Sequence, residues 1–190
     1  MRFTLQLTST RPLIMHNAEL ANPLNPVVKE IRKFSKKRNK TDDDQEAIAQ
    51  LEFLGGLYHD KELGPYVPAD NIWRCLYNAA KRHKLGERVK EALLIESDVN
   101  PLAYKGPRGA EELWANEAFR YYKSVRVQMS RTMRCRPIFY NWATEADGIL
   151  DSSLLDLEDL KRIAEEAGSL VGLCEWRPRF GRFTAVVKRA

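Results

Sequence analysis

The chain has 190 residues, of which 44% are hydrophobic and 30% charged, and its formal net charge is +5. That length suits one domain with an insertion, or at most two very small ones, and the apolar content supports a sizeable core. Three widely spaced cysteines, Cys75, Cys135 and Cys174, exclude a disulfide framework and a structural zinc site, and no apolar run is long enough to span a bilayer.

Residues 2–8 alternate, with Phe3, Leu5 and Leu7 on one face, which predicts a half-buried strand and not a signal peptide. A soluble, cytoplasmic protein is the expectation. Residues 10–26 hold Pro12, Pro23 and Pro26 and read as loop. Residues 27–40 carry seven basic residues and one acid and read as a short helix or an arm. Thr41 is placed to cap the next helix, with Asp42, Asp43 and Asp44 in its first turn. Ala47, Gln50, Leu51, Leu54 and Tyr58 follow at helical spacing, the apolar members forming the expected stripe, and Gly55 and Gly56 lie close to its end.

A helix is predicted over 69–83, with Ile72, Cys75, Leu76, Ala79, Ala80 and His83 on one stripe. A shorter one follows over 87–96, and 97–115 reads as irregular. Residues 124–130 alternate, with Val125, Val127 and Met129 on one face. Residues 136–142 do so with Ile138, Tyr140 and Trp142, and Pro137 sets that strand's start at an edge or bulge. Asp156 caps a helix over 157–167 with Leu157, Leu160, Ile163, Ala164 and Ala167 inward, and Gly168 is suited to the C′ position. The last strand is 182–188. The order is strand, long insertion, helix, strand, strand, helix, strand. That predicts an α+β fold with a ferredoxin-like (RRM-like) βαββαβ core, one domain over 1–190, with a helical insertion at 18–66 and a basic hairpin at 124–142.

Charge is segregated. Residues 118–144 hold Arg120, Lys123, Arg126, Arg131, Arg134 and Arg136 with no acid, and 170–190 hold Arg177, Arg179, Arg182, Lys188 and Arg189 against Glu175 alone. Residues 145–166 carry eight acids against Lys161 and Arg162. Acids gathered on one helix and bases on strands and loops would make a two-faced molecule. Tyr121, Tyr122, Trp176 and Phe180 lie among the arginines, a mixture that can hold a phosphate backbone and stack bases. The competing reading is of ordinary solvated faces and core aromatics. In GSLVGLCEWRPRFGRF, the glycines Gly168, Gly172 and Gly181 let a ligand approach the backbone, beside three arginines.

Three segments together resemble the RAMP superfamily, the repeat-associated proteins of CRISPR systems, and most of all its Cas7-type backbone subunits. They are TRPLIMHN after the first strand, GPYVPADNIWRCLYNAAKRH, and GLCEWRPRFGRFTAV before the last strand. Asp70 stands where that family usually has Ser or Gly. The resemblance implies binding of single-stranded RNA, often by repeated subunits along the strand, with 126–136 as a thumb-like hairpin.

Catalysis is weakly represented. The 9–26 loop has no Asp, so the aspartate of the cutting type III subunits has no counterpart. His16 suits a general acid or base, and also a simple hydrogen-bond donor to phosphate or backbone. The acids Asp42–Asp44 and Asp156, Glu158 and Asp159 sit where helix starts favour them, so no metal or cofactor is expected. The expected contacts to single-stranded RNA or DNA are Arg11, His16, Lys36, Lys37, Arg38, Arg126, Arg131, Arg134, Arg177, Arg179 and Arg182, with Trp176 and Phe180 as stacking candidates. The alternatives are a metal-independent endoribonuclease of Cas6 type using His16, and a solitary RAMP-like subunit that self-associates, or that docks into or inhibits a larger nucleoprotein complex.

Overall fold

The computed structural model describes residues 1–127 and 130–190. Among them ten strands are seen: β1 (Arg2–Ser9), β2 (Leu13–Ile14), β3 (His59–Asp60), β4 (Gly64–Pro68), β5 (Leu93–Ile95), β6 (Val99–Pro101), β7 (Arg120–Val127), β8 (Ser130–Phe139), β9 (Ala143–Leu150) and β10 (Phe183–Arg189). The six α-helices are α1 (Pro26–Ser35), α2 (Asp42–Gly56), α3 (Ala69–Ala80), α4 (Gly86–Ala92), α5 (Ala110–Ala115) and α6 (Leu157–Glu166). The fold is mixed α+β with three antiparallel sheets. No helix among the described residues is long and apolar enough to cross a membrane.

The alternation of β1 does what it predicts: Phe3, Leu5 and Leu7 are buried. β1 pairs with β10 on one side and β9 on the other, and β9 pairs with β5, so the sheet order is β10-β1-β9-β5. α3 lays Ile72, Cys75, Leu76, Ala79 and Ala80 on the apolar face of this sheet, and α6 adds Leu160, Ile163 and Ala164. Both helices read as amphipathic because their apolar residues recur at helical spacing. The opposite sheet face is polar. There the Thr4 hydroxyl donates to Asp147 at 2.7 Å and Gln6 Nε2 to Glu145 at 2.7 Å, with Leu94, Ile149 and Val186 exposed beside them.

A second sheet, β2-β8-β7, stands apart from the first and is flanked by α2; the third is β3-β4-β6. This corrects the expected pairing. The alternating runs at 124–130 and 136–142 are not the middle strands of the main sheet; they form the separate hairpin β7–β8. Their places in the main sheet are taken by β9, beside β1, and by β5 at the edge. β9 lay hidden in an acid-rich stretch because Glu145 and Asp147 face solvent while Ala146 and Leu150 face the core. β5 is three residues long, too short to show a period, and it ends the helix expected over 87–96 at Ala92. β6 and α5 likewise order the stretch 97–115.

Other differences are local. β8 stops at Phe139 because Asn141 takes φ +49, so Tyr140 is exposed and Trp142 buried, where one shared face was expected. The placement of Val127 and Met129 on a strand face lies outside the described side chains. On α2 the Thr41 cap forms as expected, in a full capping box with Asp44. Its buried face, however, is Asp44, Ile48, Ala49, Glu52, Phe53 and Gly56, not the expected stripe, because two acids are drawn inward by basic partners. The insertion is helical only to Gly56, after which β3 and β4 follow. Gly168 does not terminate α6. It lies in a π-helical turn, Ala167–Val171, and a Cβ there would stand 2.1 Å from the Phe183 carbonyl oxygen.

Candidate nucleic-acid interface

Three segments far apart in sequence meet at one place. The loop after β1 and the loop before β10 are joined by backbone bonds: Gly181 N–H donates to the Pro12 carbonyl at 2.7 Å, Glu175 N–H to Ile14 at 3.0 Å and Thr10 N–H to Arg182 at 2.8 Å. Ile14, Ile138 and Phe180 form a small buried cluster, with Tyr121 and Trp176 packed against it. The second loop is therefore held against β2 and the hairpin. Gly181 makes the turn possible, at φ +70, with its missing Cβ position 2.0 Å from the Leu173 carbonyl oxygen.

The hairpin register sets Tyr121 opposite Arg136, Lys123 opposite Arg134 and Arg126 opposite Arg131. Strand alternation then places Tyr121, Lys123, Arg134 and Arg136 on one face. That face meets the loop, where Lys123 Nζ stands 4.8 Å above the Trp176 ring.

His16 sits between two adjoining hollows and lines both. One, of about 410 Å³, is lined by Tyr58, Asn71, Cys174, Glu175 and Arg177. The other, of about 300 Å³, is lined by Arg32, Glu52, Arg134 and Arg136. Burial, then the charges of Arg136 and Arg134, push the His16 pKa down to about 4. The ring is therefore neutral near pH 7, and its Nδ1 is buried without a hydrogen-bond partner among the described residues.

Glu52 organises the arginines. It is 4% exposed, binds Arg134 Nη1, lies 3.6 Å from Arg136 Nη1 and accepts the Cys135 N–H at 3.1 Å. α2 thus closes a stretch of β8 with a carboxylate and holds two guanidiniums in place.

The expected contact residues divide. His16, Arg134 and Arg177 line the hollows, and Arg32 and Arg136, which are not among the expected contacts, join them. Arg11, Arg177 and Arg179 are exposed, and Arg182 is half-buried with its Nε donating to the Pro178 carbonyl at 2.7 Å. Arg126 and Arg131 are exposed on the outer part of the hairpin. Lys36 and Arg38 are exposed beyond α1, while Lys37 is bonded to Asp44 at 2.6 Å, so the 36–38 block serves the α1–α2 junction more than the hollows. Phe180 is corrected as a stacking candidate. At 8% exposure it is part of the small core, because Gly181 turns the chain inward there. Trp176 is half-buried, one ring face under Lys123.

The acids of 145–166 do not gather on one helix as expected. Glu145 and Asp147 belong to β9, while Glu158 and Asp159 pair within α6 with Lys161 and Arg162, and Glu166 binds His83 at 2.6 Å. Burial raises the thiols of Cys75 and Cys174 to about 12 and that of Cys135 to about 11, so none is a ready nucleophile near neutral pH. Among the described residues no group of three or more His, Cys, Asp or Glu is disposed to hold a metal ion. The chain matches no protein-family model and no curated protein.

Proposed function

We propose that this chain binds single-stranded nucleic acid, RNA foremost, without cutting it, along the two hollows that adjoin at His16. The observation that carries the reading is convergence: His16, Arg134, Arg136 and Arg177 come from three separate segments and line adjoining spaces. Guanidiniums match phosphate oxygens in pairs, and exposed Arg177 and Arg179 extend the basic surface along the loop. The strand does not lie on the open face of the four-stranded sheet. That face sets Glu145 and Asp147 beside Arg2 and Lys188, and its Leu94, Ile149 and Val186 offer no ring for stacking.

The order β10-β1-β9-β5 supports a ferredoxin-like core: the last strand, the first, the third and the second, with α3 and α6 on one face. The RAMP-like resemblance and its Cas7-type reading, with repeated copies along one strand, belong to the same proposal.

The test is fluorescence anisotropy on single-stranded RNA and DNA over a salt series. Affinity falls steeply with salt, and Arg177→Ala reduces the slope of log K against log[salt] by about 0.7. Absence of binding, or binding indifferent to salt, removes the proposal. Sizing with and without RNA reads the self-association.

A further inference from the structure

Two side chains that line the hollow under α1 each carry a buried polar atom with no hydrogen-bond partner among the described residues. Arg136 is 9% exposed; its Nη1 donates to the Cys135 carbonyl at 3.0 Å, but its Nε has no partner among the described residues. His16 Nδ1 has none either. Buried polar groups are paired as a rule, and an under-partnered guanidinium in an apolar setting is costly. Leu20, Val28 and Ile31 supply that apolar wall.

The charges do not balance. Arg32, Arg134 and Arg136 contribute three positive charges, Glu52 contributes one negative, and His16 is neutral near pH 7, which leaves +2 among the side chains lining a space of about 300 Å³, with Glu175 acting on Arg136 from the adjoining hollow. A diester phosphate carries one negative charge and would offset half of it. A phosphate monoester carries about −1.5 to −2 near neutral pH and offers more acceptor oxygens, the complement of several guanidinium forks.

We infer that the hollow lined by His16, Arg32, Arg134 and Arg136 binds a phosphate that is not a diester. The group is the terminal phosphate monoester of a nucleic-acid strand or free inorganic phosphate, two sources with one chemistry. The strand source rests on the nucleic-acid reading above; the phosphate chemistry does not.

The test compares one oligonucleotide in three forms, with 5′-phosphate, with 3′-phosphate and with hydroxyls at both ends, by anisotropy on the full chain. Melting of the protein is followed in parallel with inorganic phosphate. One phosphorylated form binds about tenfold or more tighter than the hydroxyl form, a difference of about 1.4 kcal/mol. Inorganic phosphate raises the melting temperature and competes away that excess, and Arg32→Gln, at the exposed rim, abolishes both effects. If all three forms bind equally and phosphate leaves melting unchanged, the hollow is not a phosphate site and the groove reading stands. If no form binds yet phosphate still raises the melting temperature, the hollow takes free phosphate and the nucleic-acid reading fails. If neither is seen, both fail.

Discussion

Glu52 is the residue on which the site turns. It is nearly fully buried, within reach of two arginines, and it also accepts a backbone N–H of β8. Removing one member of a buried charge pair leaves the other uncompensated, which costs a few kcal/mol. Glu52→Gln is expected to lower unfolding stability by about 3 kcal/mol in urea titration. Because it also removes the negative charge from the hollow, the same variant should bind inorganic phosphate more tightly than the parent, the opposite sign from its stability effect. His16 gives a pH signature. Its folded pKa of about 4 lies below its ordinary 6.5, so between those values the unfolded chain binds a proton that the native state refuses. That part of the stability is complete above pH 6.5 and is lost as pH falls toward 4. His16→Asn should flatten the decline of stability over this window; equal pH profiles for parent and variant would contradict the burial of the ring. Nothing at this scale was evident from the residue alone. His16 stood out as a histidine in a loop, but its neutrality follows from burial and then from the charges of Arg136 and Arg134, some 120 residues away in sequence.

Among the elements, the loop 172–182 and the hairpin β7–β8 do the positioning. Gly181 is needed twice, for φ +70 and for the 2.0 Å approach to the Leu173 carbonyl oxygen. Gly181→Ala is expected to cost about 2 kcal/mol or more, by thermal melting, and to weaken RNA binding beyond what the stability loss explains, because the loop carries Arg177 and Arg179. The periodic elements were legible: β1, α3, α6 and β10 show their spacing, and the Thr41 and Asp156 caps sit where the sequence puts them. α2 was legible as a helix but not in its rotation, since an inward Glu52 breaks any rule that reads acids as solvent-facing. β9 was hidden for the complementary reason, its outward acids resembling a helix start more than a strand.

For the whole molecule, charge is distributed by a different route from the one the charge blocks implied. The acids of β9 occupy the open face of the main sheet, while the arginines collect where the second sheet meets the two loops. Steep salt dependence, lost in step with Arg177 and Arg179, is the property expected at this scale, and a charge reversal at Glu145 and Asp147 should leave hydroxyl-ended RNA affinity within about threefold, by anisotropy at fixed salt. The amino-acid order alone dictated an α+β chain, the identity of its first and last strands and main helices, and an arginine-rich composition in two blocks. Those features depend on period and composition, which are local. Which arginines meet, which carboxylate restrains them, and which alternating run enters the central sheet are matters of long-range pairing, where several strands compete for the same edge and burial energy over the whole core selects one arrangement. Only the folded chain brings Arg32, Glu52, Arg134 and His16 around one hollow.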